Sequence, residues 1–197
     1  MRKLILSTDN KNKAKELREI LKDLPLEILT KQEAGIEDLS VVEDGDTLQY
    51  NSLKKARELS VLVDAMVMAD DSGLFVDSLG GAPGVYSSRY GGEDGNDALN
   101  NETLLKNLEG KDRKASFKTV IALITEDNQE YTVEGECKGK ILQSPMGENG
   151  FGYDPLFVPD GYSRTFAQLP SSVKNSISHR SRAIDALREK LEEILSE

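Results

Sequence analysis

Residues Ala65-Met66-Val67-Met68-Ala69-Asp70-Asp71-Ser72-Gly73-Leu74 decide the fold. An unbroken apolar run leads into two adjacent carboxylates, a hydroxyl and a glycine. Such a run reads as a buried strand. A buried strand that ends in acids delivers hard oxygen ligands to the rim of its sheet. Successive strand side chains point to opposite faces, so only one of Asp70 and Asp71 faces a pocket. One carboxylate suits Mg²⁺, which takes one or two and completes its shell with phosphate oxygens and water. The same four residues, Asp-Asp-Ser-Gly, are also good material for a helix cap or an acidic turn.

Working outward, Lys3 to Ser7 reads as a short buried strand. Asn12 to Leu24 reads as an amphipathic helix, with Leu17, Ile20, Leu21 and Leu24 at helical spacing. Leu26 to Leu29 is a second strand, and acidic, aperiodic Gly35 to Gly45 is a loop. Thr47 to Val63 is helical in pattern, as is Ala98 to Leu108. The strand Ala65 to Ala69 delivers the acids, and Leu74 to Val76 is a candidate for a further strand. Ala115 to Thr125 and Tyr131 to Leu142 read as long antiparallel strands joined by Glu126-Asp127-Asn128-Gln129. Ser144 to Tyr162 is Gly- and Pro-rich loop apart from Leu156-Phe157-Val158. Ile184, Leu187, Leu191, Ile194 and Leu195 mark a C-terminal amphipathic helix. The pattern predicts an α/β protein with a mixed sheet.

The 197 residues, 38% hydrophobic, suffice for one domain with a real core. A net charge of -10 argues against a broad polyanion-binding surface, which needs a basic face. It leaves room for a small phosphate ligand in a local basic pocket. Neither nucleic acid nor membrane is therefore an expected partner. The single Cys137 cannot form an internal disulfide. Met1 to Leu6 is too short an apolar stretch for a signal peptide, and no run approaches the roughly 20 residues of a membrane helix. The expected location is the cytoplasm.

Four constellations could carry chemistry. Ser7-Thr8-Asp9-Asn10-Lys11-Asn12-Lys13 joins the first strand to the first helix, and a helix N-terminus is a ready anion site. Without glycines it is no Walker A loop, and it also fits an ordinary N-cap with solvated lysines. Asp70-Asp71-Ser72-Gly73 is the second. The third is Gly150-Phe151-Gly152-Tyr153-Asp154-Pro155, where glycines flank a ring able to stack on a nucleobase or to tuck into the core. The fourth is Lys174 with Ser178-His179-Arg180: an N-cap serine, the chain's one histidine, and a forked donor for phosphate or carbonyl oxygens. His179 fits a structural role as readily as a functional one.

Taken together and in order, these blocks resemble the inosine triphosphate pyrophosphatase family, also called Ham1-like. The match covers essentially the whole chain. It rests on Thr8, Asn10 and Lys13, on Ala69 to Leu74, on Leu79-Gly80-Gly81-Ala82-Pro83-Gly84-Val85-Tyr86-Ser87-Ser88-Arg89-Tyr90, on Gly150 to Pro155, and on Ile177 to Arg180. The resemblance implies Mg²⁺-dependent cleavage of deaminated purine nucleoside triphosphates (ITP, dITP, XTP) to monophosphate and pyrophosphate. It also implies an elongated mixed β-sheet flanked by helices, two lobes with a central active-site cleft, and a homodimer. By resemblance, Thr8, Asp9, Asn10, Lys11, Asn12 and Lys13 hold the triphosphate and Lys55 faces the phosphates. Asp71 binds Mg²⁺ and accepts the proton of the attacking water, and Ser72 touches the substrate. Phe151, Gly152, Tyr153, Asp154, Lys174, His179 and Arg180 hold the base and the ribose-phosphate end.

Two stretches depart from the family pattern. The family reads Thr-Phe-x-Glu-Asn at the second helix, and that Glu is expected to contribute to the metal site. This chain reads Thr47-Leu48-Gln49-Tyr50-Asn51, with a phenol at the position of the carboxylate. Glu148-Asn149 stands where the family has Thr-Gly. These changes predict a raised Mg²⁺ requirement. They leave open a nucleotide-binding protein with weak or no turnover, and a pyrophosphatase with shifted base preference.

Overall fold

The computed structural model describes residues 1–196. The elements are β1 (Arg2–Leu6), α1 (Lys11–Ile20), β2 (Leu26–Thr30), α2 (Leu48–Ser60), β3 (Met66–Val76), α3 (Asp97–Asn107), β4 (Lys114–Ile124), β5 (Glu130–Ile141), β6 (Phe157–Pro159), α4 (Ser171–Ile177) and α5 (His179–Ser196). The strands form one six-stranded sheet in the order β2-β1-β3-β4-β5-β6. β1 pairs in parallel with β2 and β3, whereas β5 and β6 are antiparallel. The sheet is mixed, as the sequence pattern predicts. The described residues fall into two compact units. One comprises Met1–Asp71, Thr119–Gly135 and the chain from Arg180 onward; the other comprises Ser72–Lys118 and Glu136–His179.

In the first unit the strands are covered on both faces. Leu4, Leu6, Met66 and Met68 pack with Leu17 and Leu21 near α1 and with Ile184, Leu187 and Leu191 of α5. Ile5, Val67 and Ala69 pack on the other side with Ala56 and Leu59 of α2. Alternation along the strands thus explains why an unbroken apolar run was needed. Helix α1 ends at Ile20, four residues before the predicted end. Pro25 disfavours helical backbone at Leu24, and the intervening residues form turns while Leu24 still packs against the core.

The second unit has its own core of Leu74, Leu104, Leu108, Phe117, Phe157, Phe166 and neighbours. Phe117 and Phe157 meet edge to face at 4.7 Å. Helix α4 has no counterpart in the periodicity reading. It is short and polar, begins directly after Pro170, and is held by Val173 and Ile177 against this core.

The largest correction concerns β3. The pattern predicts a strand ending at Ala69 and a separate one from Leu74. The structure shows one 11-residue strand through Asp70, Asp71, Ser72 and Gly73. The acids are therefore strand-interior residues and not rim residues. Gly73 makes this continuity possible, because a Cβ there would lie 2.3 Å from the carbonyl oxygen of Gly84.

Candidate active site

In the first unit, β3 turns its two acids to opposite faces. Asp70 follows Met66 and Met68 toward α1 and α5. Its Oδ2 lies 3.1 Å from the Lys13 ammonium and 3.2 Å from Nε of Arg180. The Arg180 Nη1 also pairs with Glu16 of α1. Burial alone would raise the Asp70 pKa, but Lys13, Arg180 and Lys55 outweigh it and hold this carboxyl well below the usual range. Arg180, only 1% exposed, is thus engaged by carboxylates.

Asp71 follows Val67 and Ala69 toward α2. The Asn51 amide donates to its Oδ2 at 3.1 Å, and the Lys55 Nζ lies 3.6 Å from its Oδ1. Asn51 and Lys55 are four residues apart, so one face of α2 carries both. Thr119 Oγ1 donates to the Asp71 carbonyl at 3.0 Å and fixes the main chain. Burial pushes the Asp71 pKa up, with Glu43 adding to the rise, against the opposing pull of Lys55 and Lys13. A raised carboxyl in a cationic surrounding is a candidate proton acceptor.

Lys55 is the hub. Its Nζ donates to Glu43 at 2.8 Å and to the Asp70 carbonyl at 2.8 Å. Burial opposes its charge, but Asp71, Glu43 and Asp70 prevail and raise its pKa. Glu43 escaped the sequence reading, which treated Gly35 to Gly45 as an acidic loop without a role. The available signal was the Asn51/Lys55 spacing, which required an acidic partner on that face of α2. Position 50 is a different matter. Tyr50 is 54% exposed and acts electrostatically on Lys54 and Arg57, along the outer side of α2.

The loop before α1 is built around Asn10. Its Oδ1 accepts from the backbone N–H groups of Asn12 (3.0 Å) and Lys13 (3.1 Å), while Thr8 Oγ1 accepts from Asn10 N–H. The helix N-terminus is thus capped by its own side chain. Asp9 turns toward Lys31 Nζ (2.7 Å) and Gln32 Nε2 (2.6 Å). Lys11 and Asn12 are exposed.

In the second unit, the Gly150–Pro155 loop wraps the Asp154 carboxylate. Phe151 N–H donates to Asp154 Oδ2 at 3.0 Å, and the buried Lys174 ammonium lies 2.5 Å from the same oxygen. Lys174 also stands 4.7 Å from the Phe151 ring centroid, a cation–π contact. A Cβ at Gly150, whose φ is +77°, would strike Asp154 Oδ2 at 2.1 Å, so glycine is required there. The Tyr153 hydroxyl donates to the Ser87 carbonyl at 2.8 Å, and burial raises its pKa. His179 is buried and stacks on Phe117 at 4.9 Å. Ser72 is half-buried on β3.

The predicted residues therefore assemble into two groups, each within its own unit. Thr8 to Lys13, Lys55, Asp71 and Arg180 belong to the charged group. Phe151 to Asp154, Lys174 and His179 belong to the aromatic group, and Ser72 belongs to the same unit. No trio of His, Cys, Asp or Glu side chains among the described residues forms a self-sufficient metal cage.

Residues 4–190 match the model of the Ham1 family. The chain is 50% identical to the dITP/XTP pyrophosphatase of Clostridium perfringens, covering 99% of this chain and 100% of that protein. It is 45% identical to the dITP/XTP pyrophosphatase of Clostridium tetani over the full length of both. Among solved structures, a HAM1 protein from Coxiella burnetii superposes with a TM-score of 0.86 at 38% identity, covering 98% of this chain and 100% of that one. The Ham1 protein of Staphylococcus aureus gives 0.84 at 36% identity, covering 97% and 98%.

Proposed function

The chain belongs to the Ham1 family, and from that premise we propose a Mg²⁺-dependent pyrophosphatase acting on ITP, dITP and XTP. The observation that carries the proposal is the arrangement around Lys55: one buried ammonium shared by the carboxylates of Glu43 and Asp71.

Two carboxylates with phosphate oxygens and water suit a cation that favours an octahedral oxygen shell and rarely occupies an all-protein cage. Glu43 and Asp71 are the residues that would hold Mg²⁺. Once bound, Mg²⁺ would neutralise charge on the triphosphate. Asp71, poised by burial, accepts the proton of the water that attacks the α-phosphorus, and pyrophosphate leaves. Lys13 and Lys55 supply cationic charge to the phosphates, which requires Lys13 to loosen its pairing with Asp70 and Lys55 its pairings with Glu43 and Asp71. Arg180 works through Asp70 and orders that carboxylate.

The aromatic group is assigned to the base. Phe151 supplies a stacking face, while Lys174 and the main-chain groups of the loop supply donors. A donor aimed at the 6-oxo group meets a lone pair in hypoxanthine or xanthine and an amino group in adenine. Mispaired buried polar groups can cost a wrong substrate about 10⁴-fold or more.

The test is pyrophosphate release from ITP, XTP, ATP and GTP, with and without Mg²⁺. Mg²⁺-dependent release from the first two alone is expected. Binding of ITP without release would overturn the enzymatic reading and leave a nucleotide-binding protein. Release favouring another base would replace the substrate class.

A further inference from the structure

We propose that Asp97 and Asn101 of α3 are positioning residues for base selection, acting through the main chain of Gly152. The inference rests on the reading of the Phe151 loop as the base site. Asp97 and Asn101 are one helical turn apart and share a face. The Gly152 N–H donates to Asp97 Oδ2 at 2.7 Å, and the Asn101 Nδ2 donates to the Gly152 carbonyl at 3.0 Å. Both polar ends of one glycine are thus gripped by one helix. That glycine has a φ of +60° and lies between Phe151 and Tyr153.

The rest of α3 explains why the grip is firm. Asn96 caps the helix by accepting from Leu99 N–H at 3.1 Å. Asn100 accepts from Gly91 N–H at 2.7 Å and donates to the Ser88 carbonyl at 2.9 Å. Asn107 donates to the Tyr90 hydroxyl at 2.8 Å. Leu104, beneath them, is fully buried. The helix is therefore anchored to the 84–91 segment on one side and holds the aromatic loop on the other. Tyr153 joins the same two segments through Ser87.

The loop's other tether is the Asp154–Lys174 pair, which grips Phe151 from the C-terminal side. Phe151 is thus flanked by two anchors, its own N–H held by Asp154 and the next residue held by α3. The Asn101 Oδ1 is buried and makes no hydrogen bond among the described residues. Buried amide oxygens are normally satisfied, so this atom has acceptor capacity to spare for a water or a substrate donor near the loop.

The test compares Asp97→Ala with Asp97→Asn, and Asn101→Ala with Asn101→Asp, in the full-length protein. Asn at position 97 retains an acceptor for the Gly152 N–H, whereas Asp at position 101 loses the donor to its carbonyl. The expected result is a KM for ITP raised about tenfold by Asp97→Ala, Asn101→Ala and Asn101→Asp, the scale of one lost hydrogen bond, with kcat within about twofold. The preference for ITP over ATP should narrow in parallel, and Asp97→Asn should restore both. A lowered melting temperature with unchanged KM and unchanged preference would overturn the inference and leave α3 a structural brace. Wild-type protein that turns over no purine triphosphate would overturn the functional reading instead, which separates the two failures.

Discussion

Asp70 and Asp71 are chain neighbours whose carboxylates point to opposite faces of β3, Asp70 to the Lys13 ammonium at 3.1 Å and Asp71 to the Asn51 amide at 3.1 Å. One strand therefore carries two acids with contrary electrostatics. Asp70 is paired with cations on its face and is held ionised. At Asp71 burial outweighs the pull of Lys55 and Lys13, and its ionised form is disfavoured.

The contrast gives opposite pH signatures in metal-free protein. Asp71 has a folded pKa above its unfolded value, so its contribution to stability is present at low pH and lost as pH rises through the folded pKa. Asp71→Asn should therefore raise the melting temperature near neutral pH. The same variant should lose about 10²–10⁴-fold in kcat if Asp71 accepts the proton. Melting curves in a chelator and steady-state rates check the two halves. A variant with lower stability and normal turnover would refute the assignment.

Asp70 shows the reverse linkage. Its folded pKa is depressed, so its stabilisation is present above the unfolded carboxylate value of about 3.9 and is lost as pH falls toward the folded pKa. Asp70→Asn removes the charge that Lys13 and Arg180 face in the interior. Breaking one side of such a buried arrangement costs about 3–5 kcal/mol. The urea midpoint of Asp70→Asn should drop accordingly at pH 7, and its difference from wild type should shrink in acid.

Much of this was legible in the sequence. The apolar run before Asp70 specified a buried strand, and period-2 alternation required the two acids to diverge. Helices α1, α2, α3 and α5 and the long hairpin followed from spacing, whereas the short, polar α4 did not. What the chain alone did not disclose was the continuation of β3 through Gly73, since that depends on the approach of Gly84 from elsewhere in the fold. Glu43 was hidden for a related reason. A loop residue acquires its role only when α2 brings Lys55 beside β3, and no periodicity encodes that meeting.

Position 50 gains a second reading from its surroundings, beside the metal role expected of a carboxylate there. Thr47 Oγ1 accepts from Tyr50 N–H at 3.1 Å, which makes Thr47 the N-cap and position 50 the third helical residue. Thr-x-x-Glu is the capping box, in which the Glu side chain reaches back to the cap's own N–H. A Glu at this position of the present chain would complete that box. Tyr50→Glu is expected to stabilise the fold by about 0.5–1 kcal/mol, the scale of a capping interaction. Its Mg²⁺ half-saturation should stay within about twofold of wild type, well short of the tenfold that a 1.4 kcal/mol change would bring. A metal titration showing much tighter Mg²⁺ binding in Tyr50→Glu would restore the phenol as a defect of the metal site.

Glu43 carries the complementary expectation. Glu43→Gln keeps a hydrogen-bond acceptor for Lys55 but removes one of the two carboxylates assigned to the cation. The Mg²⁺ concentration for half-maximal rate should rise at least about tenfold, since outer partners of metal sites already cost 10–100-fold and a direct ligand costs no less. Activity at saturating Mg²⁺ should recover substantially, because Asp71 and the phosphates remain. An unchanged Mg²⁺ dependence would confine Glu43 to pairing with Lys55.

Lys31 tests how the loop before α1 is held. Its side chain is 4% exposed, yet its ammonium reaches Asp9 of the loop before α1 at 2.7 Å and the Leu39 carbonyl in the stretch leading to Glu43. One buried cation thus restrains two segments that contribute to the charged group. Lys31→Met preserves the apolar stem and removes the ammonium. The Leu39 carbonyl then loses a charged donor, a loss of about 1–3 kcal/mol in stability. Asp9 keeps Gln32, so the loop loosens without detaching. The consequence should appear in substrate affinity more than in chemistry: KM for the triphosphate up by about tenfold, equivalent to about 1.4 kcal/mol, with kcat little changed. Lys31→Arg should recover part of the affinity by supplying donors from a bulkier head. If Lys31→Met instead lowered kcat and left KM alone, the loop would be acting on the transition state and not on binding.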